Sequence, residues 1–184
     1  EPHDLWAAWR FDPGVVIPLV ISAVLYARGA RMSSGIKPQQ QICFWAGLLT
    51  LVVALVSPLH PLGEVLFSAH MTQHEVLMLI AAPLLVLSRP LVAFLWALPF
   101  EWRRTAGRWS KAEGVQQTWL FITAPLTAWM VHAVALWMWH APSLFQATLD
   151  NEWIHSAQHL SFFLSALLFW WSLIRARSTS AYGS

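Results

Sequence analysis

Charge is scarce in this sequence. Of its 184 residues only 11% are Asp, Glu, Lys or Arg, while 57% are hydrophobic. A soluble domain carries about 25% charged residues. So little charge cannot cover a water-facing surface, and long apolar runs point to lipid as the solvent. Cysteine is scarcer still. The lone Cys43 excludes an intrachain disulfide, a Cys-x-x-Cys site and the Cys-x-x-Cys-His attachment of covalent haem. No phosphate-binding glycine loop, nucleophile–base pair or hydrolytic motif is present, so catalysis has no support and a non-enzymic role is expected. The net charge of +2 is small, and the basic residues fall in short loops between apolar runs, which leaves no nucleic-acid surface. The sequence opens on Glu1 without a methionine, as expected of a processed or trimmed chain.

What is present is apolar sequence in long blocks. It predicts an all-α fold: a polytopic membrane helical bundle of five spans, at residues 15–27, 42–57, 70–88, 119–139 and 153–174. These form a single membrane-embedded domain over residues 1–175, followed by a polar tail at 176–184. A spanning helix needs about 20 residues, so the first two runs must borrow flanking positions. Asp12-Pro13-Gly14 reads as the turn that starts the first helix. Pro18, Pro83 and Pro125 lie inside predicted spans, and kinks are expected there. A sixth apolar stretch, 91–98, is too short to span. It leads into 101–113, where Arg103, Arg104, Arg108 and Lys111 mix with Trp102 and Trp109. The segment at about 91–113 reads either as an interfacial helix with its basic side on lipid headgroups or as a cytoplasmic loop.

Charge asymmetry orients the bundle. Arg28, Arg31 and Lys37 follow the first span, the basic residues of 89–111 follow the third, and Arg175 and Arg177 follow the fifth. All fall on one side, with only Arg10 on the other. The positive-inside rule puts the amino terminus outside and the carboxyl terminus in the cytoplasm. Tryptophans fall into two belts. Trp6, Trp9, Trp137, Trp139 and Trp153 mark the outer one, and Trp45, Trp102, Trp109, Trp119, Trp170 and Trp171 the inner one.

On that topology every histidine falls on the outer side. His3 lies in the leading segment and His60 in the loop after the second span. His70 and His74 open the third span, and His155 and His159 open the fifth. His140 ends the fourth, with His132 about two turns deeper. Two segments share the pattern His-x-x-Gln-His, at 70–74 and 155–159. Residues four apart share a helix face, about 5–6 Å apart at Cβ, so each pair offers two imidazoles to one metal ion. Ionisable groups inside a membrane are costly and tend to be functional. The preferred ligands are His70, His74, His155 and His159, with His60 and His140 next. His132, Glu75, Met71 and Met138 form a second tier: Glu75 as an acceptor behind a ligand or on an ion path, the methionines as thioether donors suited to Cu(I). Cys43, at the inner end of the second span, reads as structural. An imidazole-rich set with no close carboxylate pair fits copper or zinc, and outward placement favours copper. The alternative is haem b held by one imidazole from each of two facing helices.

Several motifs resemble those of the CtaG-like assembly factors for caa(3)-type cytochrome c oxidase. These are Trp9-Arg10-Phe11-Asp12-Pro13; Ser57-Pro58-Leu59; Phe67-Ser68-Ala69-His70-Met71-Thr72-Gln73-His74; Ala81-Ala82-Pro83-Leu84-Leu85-Val86-Leu87 with Arg89-Pro90; Leu136-Trp137-Met138-Trp139-His140-Ala141-Pro142; and His155-Ser156-Ala157-Gln158-His159 followed by Phe169-Trp170-Trp171. The resemblance implies a bacterial inner (plasma) membrane protein that matures haem-copper oxidases, delivering copper to the CuB site. It implies as partners the oxidase catalytic subunit and periplasmic copper chaperones, beside membrane lipid. It also implies further spans after the fifth, which this sequence does not carry. Two other functions remain open at this stage: a haem-binding membrane electron carrier, and a structural accessory subunit of a respiratory complex.

Overall fold

A computed structural model describes residues 8–180, and of Glu64 and residues 175–180 the backbone alone. His3, Trp6 and residues 181–184 of the predicted tail lie outside the described residues. The described chain is helical throughout, with no strand. In chain order the helices are α1 (Pro13–Met32), α2 (Pro38–Leu55), α3 (Leu59–Val65), α4 (Phe67–Leu87), α5 (Pro90–Ala97), α6 (Phe100–Trp109), α7 (Glu113–Ile122), α8 (Pro125–Trp139), α9 (Pro142–Asp150) and α10 (Glu152–Ser180).

Local chemistry sets the boundaries. Asp12 caps α1, its Oδ1 accepting from the Gly14 N–H at 2.8 Å, with Pro13 in the first turn. Asn151 caps α10, accepting from Trp153 and Ile154 N–H. Proline opens α2, α5, α8 and α9, where a missing N–H leaves no intrahelical bond unmade. The first two spans therefore run longer than the apolar pattern indicated. The 20 residues of α1 reach about 30 Å, because the helix carries Arg28 and Arg31 within its last turns. At the far end, α10 continues through Ser180, so residues 176–180 of the polar tail are helical.

Among the described residues, four helical segments are long and apolar enough to cross a membrane: Pro13–Met32, Pro38–Leu55, Phe67–Leu87 and Glu152–Ile174. The predicted fourth span, 119–139, is not one continuous helix. It breaks between α7 and α8 with a bend of 62°. Pro125 lacks the N–H that would continue the ladder, and the residue before proline avoids the helical region. Ala124 accordingly sits in extended backbone. Pro125 starts a helix rather than kinking one.

Pro83 is accommodated differently. Within α4, residues Val76–Ala81 form a π turn, and the Ala82 N–H reaches back five residues to the Leu77 carbonyl. The next donor in that wider ladder would belong to residue 83, which has none. The Met78 carbonyl so released accepts from the indole Nε1–H of Trp170 on α10, at 2.9 Å. A proline in α4 thus becomes a tie to α10. Trp170 is spent on this tie and does not mark an interface.

The helix α4 is the hub. On one side it packs against α2 and on the other against α10, which in turn packs against α8. Buried Tyr26 and Phe44 stack at 3.6 Å between α1 and α2. The Tyr26 hydroxyl, also within reach of the Gln40 carbonyl, donates to the Ser88 carbonyl at 3.0 Å. That bond pins the turn in which Arg89 takes a left-handed backbone, φ 53°. This turn sends α5 back along α1, where a Cβ on Gly29 would lie 1.8 Å from the Ala93 carbonyl oxygen. Small residues permit such close backbone approach between apolar helices. Ala93 and Ala97 are buried against α1, while Leu91, Leu95 and Trp96 on the other side of α5 are exposed. None of the residues of α6 is buried, and its Arg103 lies over the Trp96 ring of α5 at 4.3 Å.

A second core cluster, Ala135, Trp139 and Phe162, joins α8 to α10. Trp139 is buried there and donates its Nε1–H to the Ser161 hydroxyl at 2.6 Å, so it packs between helices instead of marking the outer belt. Trp137 and Trp153, 81% and 86% exposed, are free to mark it.

Candidate metal centre

The two His-x-x-Gln-His segments meet. His70 and His74 stand on one face of α4, and His155 and His159 on the facing side of α10. Ring centroids are 4.3 Å apart for His70–His74, 4.4 Å for His155–His159, 5.1 Å for His70–His155 and 4.8 Å for His74–His159. One ring nitrogen from each of the four lies within 4.8 Å of all the others. His70, His74 and His159 are buried and His155 is half-buried. The Nε2 atom of every one of the four is buried without a hydrogen-bond partner. Such atoms are rare in folded proteins and each calls for an explanation. A tetrahedral site with metal–nitrogen bonds of about 2.0–2.1 Å has nitrogens about 3.3–3.4 Å apart, so modest side-chain rotation would close the tetrad onto one ion.

The surroundings are unequal. Below the tetrad, the fully buried Phe162 sets its ring 4.9 Å from His74. On the α9 side, Phe145 stands edge-on to His70 at 6.5 Å. On the α3 side, His60 lies parallel to His155 at 5.8 Å and edge-on to His159 at 6.2 Å. Backbone chemistry holds His60 in place. The Ala54 carbonyl, near the end of α2, has proline at position 58 where a helix would supply the next N–H. The amide Nε2 of fully buried Gln73 fills that role, donating to Ala54 at 2.7 Å. Its second N–H points at His60 Nδ1, 3.0 Å away. The carbonyl can only accept, which fixes the amide orientation, so His60 Nδ1 is an acceptor and its ring proton sits on Nε2. His60 therefore flanks the tetrad without presenting a free lone pair to it.

The remaining expected ligands are not brought to the centre. His140, exposed at the end of α8, donates from Nδ1 to the Leu136 carbonyl at 2.6 Å and stacks on the Phe162 ring at 6.3 Å, the same ring that His74 meets edge-on. His132 bonds Ser165 on α10 at 2.9 Å and stacks on Phe169, which makes it a link between α8 and α10. Glu75 is exposed on α4, and among the described residues no hydrogen bond joins it to a histidine. Met71 is half-buried and Met138 is 48% exposed; neither belongs to the tetrad. Cys43 lies near the start of α2, at the other end of the bundle. The repeated pattern also carries a glutamine in each copy, Gln73 and Gln158. Both are buried, and each leaves its Oε1 without a partner beside the centre. Their recurrence in both copies is the signal that could have found them.

Four imidazoles with no carboxylate or thiolate among them make an all-nitrogen donor set, suited to a borderline transition metal such as copper or zinc. Arg10 and Glu152, 3.6 Å apart and exposed, tie the leading segment to the start of α10 at this same end.

The chain matches the family described as cytochrome c oxidase caa3 assembly factor over residues 23–183. Uncharacterized proteins of Mycobacterium bovis and Mycobacterium tuberculosis are each 27% identical to it over 179 residues, covering 90% of this chain and 26% of theirs. An uncharacterized protein of Mycobacterium leprae is 25% identical over 182 residues, covering 92% of this chain and 27% of its own length. The chain thus spans about a quarter of the length of the curated relatives it matches. No solved structure matches it. The family match takes in the tetrad and both residues that flank it, and by that match the chain belongs to the cytochrome c oxidase caa3 assembly factor family.

Proposed function

We propose that this protein carries copper as cargo on the His70–His74–His155–His159 tetrad and passes it to the CuB site of a haem-copper oxidase catalytic subunit. The observation that carries the reading is four histidines that each bring a ring nitrogen within 4.8 Å of the others, every one of them with a buried, unpartnered Nε2. Family membership supplies the recipient. The role is binding and hand-over without turnover. In a bacterial inner membrane, positive-inside orientation faces the tetrad away from the cytoplasm, toward periplasmic copper chaperones as donors. Haem is less well supported, because imidazoles whose centroids lie 4.3–5.1 Å apart leave no slot for a flat macrocycle.

The test joins metal analysis to maturation. The purified protein is expected to bind one copper ion per chain without a Soret band, and His70→Ala/His74→Ala to lose it. In cells lacking the native factor, the double variant is expected to leave the oxidase without CuB. Copper retained by the double variant, or full oxidase maturation with it, would overturn the reading, which would then yield to that of a structural accessory subunit. Cysteines placed at Gly107 and Trp153 in a Cys43→Ser background test the orientation. Impermeant reagent added outside is expected to label 153 and spare 107.

A further inference from the structure

The metal centre sits in an internal repeat that is wider than its histidines. An apolar helix, a short helix and a His-x-x-Gln-His helix follow one another as α2–α3–α4 and again as α8–α9–α10. An offset of 85 residues maps His70 onto His155, Gln73 onto Gln158 and His74 onto His159. The same offset maps His60 of α3 onto Phe145 of α9. The rings obey this relation in space. His60 packs on His155 at 5.8 Å, and Phe145 packs on His70 at 6.5 Å. Two equivalent flanks of one tetrad thus differ in chemistry: one closed by an apolar ring, the other by an imidazole. His60 is half-buried, and its parallel partner His155 is the most accessible ring of the four.

We infer that His60 is the exchange ligand of this centre, the imidazole through which metal enters and leaves, and that Gln73 governs it. The inference rests on the reading of the tetrad as a metal site. In the resting arrangement His60 Nδ1 accepts from the Gln73 amide, and its Nε2 is protonated. A metal ion needs a deprotonated ring nitrogen. Rotating the Gln73 amide by half a turn brings its Oε1, now unpartnered, to Nδ1. His60 then releases the Nε2 proton to water, takes one from water at Nδ1, and offers the Nε2 lone pair to the ion. No net proton is gained or lost. The bond from Gln73 to the Ala54 carbonyl is broken in this state, which keeps it transient. Metal at rest belongs to the tetrad, and metal in transit shares His60 and His155.

The experiment separates affinity from rate. Full-length protein in detergent is loaded with Cu(I), and transfer to excess bathocuproine is followed by stopped-flow absorbance. His60→Phe, which copies the α9 flank, is expected to keep copper stoichiometry and equilibrium affinity while slowing release about tenfold, the order typical of residues acting behind a ligand. Phe145→His supplies the second flank with an imidazole and is expected to speed release. Gln73→Glu accepts permanently from His60 Nδ1–H, fixes Nε2 as a ligand, and is expected to tighten binding. Unchanged release in both His60→Phe and Phe145→His would overturn the inference while leaving the tetrad intact. Loss of copper from His60→Phe would overturn it too, by making His60 a resident ligand. Failure of the tetrad itself shows separately, as wild-type protein that binds no copper.

Discussion

Replacing His74 by leucine should have opposite effects on the empty and the loaded protein. The His74 side chain is 3% exposed, lies 4.8 Å from His159 and 4.9 Å from Phe162, and buries an Nε2 atom with no partner. A buried polar atom without a hydrogen bond costs about 1–3 kcal/mol. Leucine is of similar bulk, has no polar atom and faces an apolar ring, so it removes that cost without opening a large cavity. The empty variant should therefore be as stable as the wild type, or more stable by up to about 3 kcal/mol. With metal the order reverses. Copper held at one hundred times its dissociation constant stabilises the wild type by about 2.7 kcal/mol through mass action. A three-histidine site binds so much more weakly that the same free copper adds almost nothing. Urea titration in detergent, read by near-ultraviolet circular dichroism with buffered copper and with chelator, measures both increments. If His74 is only structural glue between helices, the empty variant loses stability and the copper increment stays as it was. That pattern would refute the reasoning, because a histidine that stabilises the empty fold is not waiting for an ion.

Two further substitutions probe the scaffold that positions the centre. Gly29→Ala drives a Cβ to 1.8 Å from the Ala93 carbonyl oxygen, so α5 must part from α1; we expect loss of folded protein by size-exclusion chromatography, while Gly107→Ala, with nothing within 4 Å, behaves as wild type. Trp170→Phe removes the donor to the Met78 carbonyl and should destabilise the fold by about 1–3 kcal/mol; an unchanged unfolding midpoint would show that the π turn needs no tie to α10.

Much of this architecture was legible before any coordinates. Scarce charge and long apolar runs pointed to helices fit to cross a membrane, and the repeated His-x-x-Gln-His singled out the four histidines that converge. Hydropathy failed at Thr123–Ala124, because a window of apolar residues carries no information on direction, and a 62° bend costs nothing in average hydropathy. The eight apolar residues of α5 carry no signal that the chain turns back against Gly29. Nor does a tryptophan count reveal which indoles are tied inside the bundle, as Trp139 is to Ser161 and Trp170 to the Met78 carbonyl.

The prolines contain the part that the sequence held but did not reveal on its face. Pro58 and Pro83 each remove a donor from a helix ladder and leave a carbonyl that lipid cannot satisfy. Near Pro58 that carbonyl belongs to Ala54, and Gln73 comes to it from α4. Near Pro83 it belongs to Met78, shifted one residue by the π turn, and Trp170 comes to it from α10. Both rescues act on α4, one on the helical turn that bears His70 and His74, the other just beyond it. The first also places the second N–H of Gln73 against His60. Backbone groups orphaned by proline thus recruit the side chains that fix the histidine helix in place, and one of those side chains sets the protonation of the imidazole beside the metal centre. A histidine pattern alone locates candidate ligands, whereas the proline spacing around it explains which two side-chain hydrogen bonds hold that part of α4 in place.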